Sequence, residues 1–199
     1  MQHVASWFQA ALLPARWRVA GVTCSALSVW HVYVLRETGN AYLTGQPPDR
    51  DAAAALLLYC SRGYLAGRRL FTAPLYRRRA VLRIARKLRR QDWPSIDAAV
   101  CDYLETCGRV PGHKEPAGVP GKASARPRRA SAPLPWALVD SLSRGDPRAF
   151  AAAWDTPFSV ARCLFDARRD LAGEVDTLES AEEEARFDEY LARRKEGAA

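Results

Sequence analysis

The residues of this chain that could do chemistry are few, and their spacing does not assemble them. Three histidines stand at positions 3, 31 and 113, and five cysteines at 24, 60, 101, 107 and 163. The only Cys/His cluster is Cys101-x5-Cys107-x5-His113. Structural zinc sites take cysteine pairs two to four apart. Six apart on one helix, Cys101 and Cys107 point to nearly opposite faces, and His113 falls in a stretch of linker composition. No Gly-x-Ser-x-Gly elbow occurs, and no histidine is spaced to serve a Ser or Cys as base. Gly121-Lys122 ends like a phosphate loop, but lacks the first glycine spacing, the Ser/Thr after the lysine and a preceding strand. The acidic residues at 182–184 and 188–189 read as a solvated helix face rather than a general acid–base pair. His31 reads as a satisfied core or boundary histidine. The residue types thus predict a protein that is not an enzyme, with no catalytic, cofactor-binding or metal-binding residues and no cofactor.

The elements that would hold such residues are helical. From Val19 to Leu35 run 17 residues without a charge, the longest such run in the chain. Leu27, Trp30 and Val34 recur within it at helical spacing. Gly39-Asn40 supplies a stop, because both residues tolerate the left-handed conformation that follows a helix. Seventeen residues fall at the bottom of the range for a membrane span, which takes about 20, and Thr23, Ser25, Ser28 and His31 dilute the run. A buried core helix is the expected reading, and a membrane partner is not expected.

Composition is that of a globular protein, 48% hydrophobic and 26% charged, with enough apolar area to close a core. An odd number of scattered cysteines predicts free thiols in a reducing compartment. Residues 4–13 are apolar, but no small-residue cleavage site follows them, so no signal peptide is expected. The net charge of +8 hides an asymmetry. Residues 1–133 hold 21 basic against 8 acidic side chains, a balance of +13, whereas residues 134–199 hold 9 against 14, a balance of −5. Such a split fits a nucleic-acid-binding half with an acidic tail, or two halves that attract each other.

Taken in order, 4–13 forms a short amphipathic helix ended by Pro14, and the core helix follows. Asp49 or Asp51 caps an Ala/Leu-rich helix over 52–60. Pro74 opens a basic amphipathic helix with eight Lys/Arg and no acid between Arg77 and Arg90, and Val81, Ile84/Ala85 and Leu88 form its apolar stripe. Three roles compete for it: a surface helix whose arginine stems cover apolar neighbours, a phosphate-binding helix, or a contact for an acidic protein or anionic lipid. Ser95 is expected to cap a helix over 95–107 with Ile96, Ala99/Val100 and Tyr103/Leu104 inward. Residues 109–133, rich in Pro, Gly and Arg, form a disordered basic linker. Helices over 134–142, 148–154 and 158–171 follow, the last with Phe158, Ala161 and Leu164/Phe165 on one face. Thr177 or Ser180 caps a final acidic helix, and Ser180–Glu183 fits a capping box. No strand and no internal repeat is expected. The chain reads as all-α: a helical N-terminal domain (1–108), a disordered linker (109–133) and a small acidic helical unit (134–199).

Two stretches carry a family resemblance: Leu35 to Gly45 (LRETGNAYLTG) between an apolar helix and an Ala/Leu-rich one, and Ala153 to Phe158 (AWDTPF), continuing through Ala161 to Gly173. The chain resembles the tail assembly chaperones of tailed bacteriophages, small helical proteins encoded beside the tape measure. The resemblance implies a non-enzymatic factor in the cytoplasm of a bacterial host. Such a factor keeps a tape-measure-like helical protein soluble and recruits tail subunits. The expected partner contacts are Trp154, Pro157 and Phe158, together with Arg77, Arg78, Arg79, Arg83 and Arg86 of the basic helix. The alternative is a basic nucleic-acid-binding accessory protein acting through that same helix. Homo-oligomerisation is left open.

Overall fold

The computed structural model describes residues 16–108, 113–114, 133–171 and 176–177. The proposed helices over 4–13 and from Ser180, most of the linker and Gly121-Lys122 lie outside them. The fold is all-α. Among the described residues nine helices run in order: α1 (Val29–Glu37), α2 (Ala41–Thr44), α3 (Arg50–Cys60), α4 (Tyr64–Phe71), α5 (Pro74–Leu88), α6 (Trp93–Gly108), α7 (Leu134–Ser143), α8 (Phe150–Asp155) and α9 (Phe158–Leu171). None of the described helices is long and apolar enough to cross a membrane.

One departure from expectation lies at the start of the apolar run. Its first residues form a β-hairpin, β1 (Trp17–Val19) with β2 (Val22–Cys24), antiparallel with Trp17 opposite Cys24. The turn is Ala20-Gly21, both at positive φ (45° and 78°), the two-residue geometry whose twist matches that of paired strands. Each strand is only three residues long, so its alternation, with Val19 and Cys24 inward, is too short to stand out from a helical pattern. A second antiparallel pair, β3 (His113–Lys114) with β4 (Asp176–Thr177), joins the linker stretch to the segment after α9.

Helix α1 therefore starts late, at Val29. Ser28 is its N-cap and His31 completes a capping box. Gly39 (φ 63°) ends it as the sequence predicts, and the Asp49 carboxylate caps α3 by accepting from the Ala52 N–H at 2.7 Å. The N-terminal cap of α6 differs from expectation. Asp92, not Ser95, is the capping side chain, and it accepts from the Ser95 N–H at 2.9 Å. The helix thus begins at Trp93, with Pro94 in the first turn, where its missing N–H costs nothing. Helix α4 lies outside the expected helices: Tyr64, Gly67 and Leu70 face inward at helical spacing, but Gly63 and Gly67 read locally as the loosened end of α3. On α9 the inward face is Ala161 with half-buried Phe158 and Phe165; Leu164 is 45% exposed.

The sequence alone left open whether the two halves pack on each other. They share one core. Leu138, Val139, Ala153, Trp154 and Ala161 cluster with Trp30, Leu35, Leu57, Tyr59, Ile96 and Tyr103. The joint between the halves is the AWDTPF stretch. Trp154 inserts among Trp30 (6.0 Å between centroids, 89°), Tyr64 (5.7 Å, stacked) and Trp136 (5.1 Å, 88°). Asp155 reaches across to accept from the Tyr64 N–H at 2.6 Å. It thereby caps α4, whose own N-cap is the side-chain-less Gly63. Thr156 O accepts from Val29 N–H at 3.0 Å, and Phe158 N–H donates to Leu27 O at 2.7 Å, an isolated bridge around Ser28 and Pro157.

Candidate functional site

Helix α5 supplies the most distinctive surface. Arg, Ala, Leu and Lys are good helix formers, and Pro74 at the first turn presets the backbone. Ala85 and Leu88 are buried against the core with Val81 and Ile84 half-buried beside them, as the spacing predicts. The carbonyl end is capped from outside. The Arg50 guanidinium donates to Leu88 O (2.6 Å) and Gln91 O (3.0 Å), a cation at the negative pole of the helix.

The rest of α5 faces outward. Arg78, Arg79, Arg83, Arg86, Lys87, Arg89 and Arg90 are exposed. Among the described residues none of these side chains has an ion pair or hydrogen bond. No acidic residue occurs anywhere from Tyr64 to Arg90. The two halves of the helix differ. The first carries exposed apolar side chains, Leu75 (77%), Tyr76 (58%) and Leu82 (42%), among its arginines. From Arg83 to Arg90 every exposed side chain is Arg or Lys.

Beside the first half lies a groove of about 640 Å3 between the end of α1, helix α3 and α5. Its apolar walls include Tyr59, Phe71, Val81 and Leu82; Glu37 and Asp51 bring negative charge, and Arg77 and Arg78 positive. Arg77 is half-buried, its guanidinium carbon 5.8 Å from the Phe71 ring centroid. Tyr59 is buried and its hydroxyl makes no hydrogen bond. Burial pushes that phenol upward, and nearby Arg77 opposes the shift. Of the residues the sequence singled out, this surface gathers Arg77 and Arg78 at the groove, with Arg79, Arg83 and Arg86 further along the exposed helix. Trp154 lies in the core: it is 1% exposed, and five aromatic rings enclose its indole. Pro157 and Phe158 are half-buried at the joint. The groove itself escaped the sequence. Asp51, Ala55 and Tyr59 do recur at i, i+4, i+8 on α3, but that helix is apolar nearly all round, so nothing marked which side opens.

The most enzyme-like cluster is structurally engaged. A recess of about 510 Å3 gathers Cys24, Ser25, Ser61 and Asp155. Ser25 Oγ donates to Cys60 O (3.0 Å), Ser61 Oγ to Leu58 O (2.8 Å), and Asp155 caps α4. Burial pushes the Cys24 thiol up to about 12, so it holds its proton. All five cysteines are free thiols, and no group of three or more His, Cys, Asp or Glu that could hold a metal occurs among the described residues.

Nearby His31 is held at both nitrogens. Nδ1 accepts from the Ser28 N–H at 3.0 Å, and Nε2 donates to Arg62 O at 2.8 Å, which defines the neutral Nε2–H tautomer. Complete burial lowers its pKa, outweighing the opposing hydrogen bond to Arg62. Below the ordinary imidazole value of about 6.5 the unfolded chain therefore binds more protons than the folded one. Stability should be at its full value above that pH. It should fall as the pH drops below it, by at most about 1.4 kcal/mol per pH unit, until the folded pKa is reached. Urea melts at about pH 7.5, 6.5 and 5.5 on the wild type and His31→Gln check this. The variant, less stable throughout, should have the flatter profile; parallel profiles would remove His31 as the cause.

No family model matches the chain, and no curated protein or solved structure matches it significantly.

Proposed function

We propose that this all-α protein is a non-enzymatic assembly factor of the bacteriophage-tail kind, acting in the cytoplasm of a bacterial host. It binds a tape-measure-like helical protein and tail subunits. The observation that supports this reading most directly is the groove beside α5. It is a trough of mixed character, with an apolar wall of Tyr59, Phe71, Val81 and Leu82, and with Glu37 and Asp51 bringing one charge and Arg77 and Arg78 the other. An amphipathic helix laid in such a groove buries its apolar stripe on Val81 and Leu82 and meets complementary charge beside it. Two short sequence resemblances, at 35–45 and 153–158, add to the reading.

Affinity capture with the tagged protein from an infected or induced lysate, nuclease-treated, tests it. A helical, coiled-coil-rich protein should be retained at moderate salt. Leu82→Asp with Arg78→Glu, both at exposed positions, should reduce retention at least about tenfold, the loss of one apolar anchor and one charge pair. Recovery of no such partner, or equal recovery by the variant, would count against the proposal.

A second reading, nucleic-acid binding, is favoured by the end of α5 and the turn after it, where every exposed side chain from Arg83 to Arg90 is Arg or Lys.

A further inference from the structure

We propose that the C-terminal half of α5, with the β1–β2 turn, is a binding site for a nucleic-acid backbone, separate from the groove. The second half of the helix and the turn after it expose Arg83, Arg86, Lys87, Arg89 and Arg90 and no other side chain. None of them is neutralised among the described residues. Arg79, Arg83 and Arg86 follow one another at i, i+4 and i+7, so one face offers a guanidinium on successive turns, at axial steps of about 6 and 4.5 Å, and Arg90 continues the row in the turn after the helix. A polymer with a charge on every nucleotide meets such a ladder repeatedly, whereas a free anion meets it once.

The ladder ends in a recess of about 440 Å3 between the hairpin turn and the last turn of α5. Ala20, Gly21, Arg86, Lys87, Arg90 and Gln91 line it, without a carboxylate. Gln91 Nε2 donates to Ala20 O at 3.1 Å and ties the turn to the helix end, so the recess is held open by structure. Asp92, the acidic residue nearest in sequence, is turned to the Ser95 N–H as the cap of α6.

The choice of nucleic acid over an acidic protein rests on the contrast within α5. Stable protein interfaces have a core of apolar and aromatic side chains. Leu75, Tyr76 and Leu82 supply such side chains in the first half, and the second half exposes none. A surface of cations alone suits phosphates, whose binding is driven by counterion release and needs no apolar contact. No Asn stands among these residues and Gln91 is engaged, so readout of adenine edges is not expected.

Fluorescence anisotropy with a labelled oligothymidine and a labelled duplex of roughly 20 nucleotides, across about 25–200 mM KCl, reads the site. Log affinity should fall linearly with log salt, with a slope near −3 for about four phosphate contacts. Arg86→Glu with Arg90→Glu should weaken binding at low salt at least about tenfold and make the slope shallower by about 1.5. Both positions are exposed, and a thermal melt verifies that the variant folds. The absence of an anisotropy change at the lowest salt, or an unchanged slope in the variant, would overturn the proposal. So would displacement of the oligonucleotide by polyglutamate at equal charge, which would assign the surface to acidic proteins.

Discussion

Trp154→Ala is expected to destabilise the protein by about 3–5 kcal/mol, the range for removing a large aromatic side chain from a packed core. The expectation rests on position. Trp154 is 1% exposed and contacts Trp30, Tyr33, Tyr64, Trp136 and Phe150 by ring-to-ring packing, with centroids between 5.1 and 6.1 Å. These rings come from α1, α4, α7 and the start of α8, so one side chain closes the seam between residues 16–108 and 133–171. Trp154→Phe should cost far less. It keeps an aromatic body in the cluster and removes an indole N–H that is buried without a hydrogen-bond partner. Urea unfolding of the two variants separates the contributions. A loss of under about 1 kcal/mol in Trp154→Ala would mean that the backbone bridge at Ser28 and Pro157, not the aromatic cluster, holds the halves together.

Gly67→Ala is the second large effect, and its sign is opposite to what helix propensity alone predicts. In an exposed helix interior this change stabilises by about 1 kcal/mol. Here a Cβ at position 67 would overlap the Trp30 indole nitrogen and come within 3.2 Å of Cε2 and 3.3 Å of Cδ1. Trp30 has nowhere to go, since Tyr64, Phe71 and Trp154 meet it edge to face from 5.2 to 6.3 Å. Overpacking of this kind costs about 1–3 kcal/mol, and in a ring-locked site it should outweigh the propensity gain. The melting temperature should then drop by roughly 2–4 °C per kcal/mol of net loss. Trp30→Phe in the same background should relieve part of it, a coupling that a double-mutant cycle measures. A Gly67→Ala protein that melts at or above the wild type would show that the cluster yields.

The two surface proposals divide α5 at about Leu82, and their variants separate them. Leu82→Asp with Arg78→Glu acts on the groove, and Arg86→Glu with Arg90→Glu acts on the recess. Loss of protein capture without loss of oligonucleotide binding, and the reverse, would show two independent sites on one helix.

Read alone, the sequence determined the elements whose signal is local. The 3.6-residue period and Pro157 placed α9, Gly39 ended α1, an aspartate at 49 or 51 was set to cap α3, and the 81, 84/85, 88 stripe named the buried side of α5. The all-α class follows from those signals together, because caps, stops and apolar stripes act within one or two turns. Tertiary structure decided what depends on distant partners. It made a hairpin of 17–24, whose short strands are backed by α3 and α6. It put Trp154 in the core rather than on a surface. It recruited Asp155 as the cap of a helix 91 residues earlier in the chain. It also opened the groove on one side of α3, a helix whose composition is apolar nearly all round. An aromatic residue, a carboxylate or an alanine has the same local signature whether it faces solvent, a partner or the core. Only the packing of the whole chain distinguishes these cases, because burial is a property of the neighbours and not of the residue.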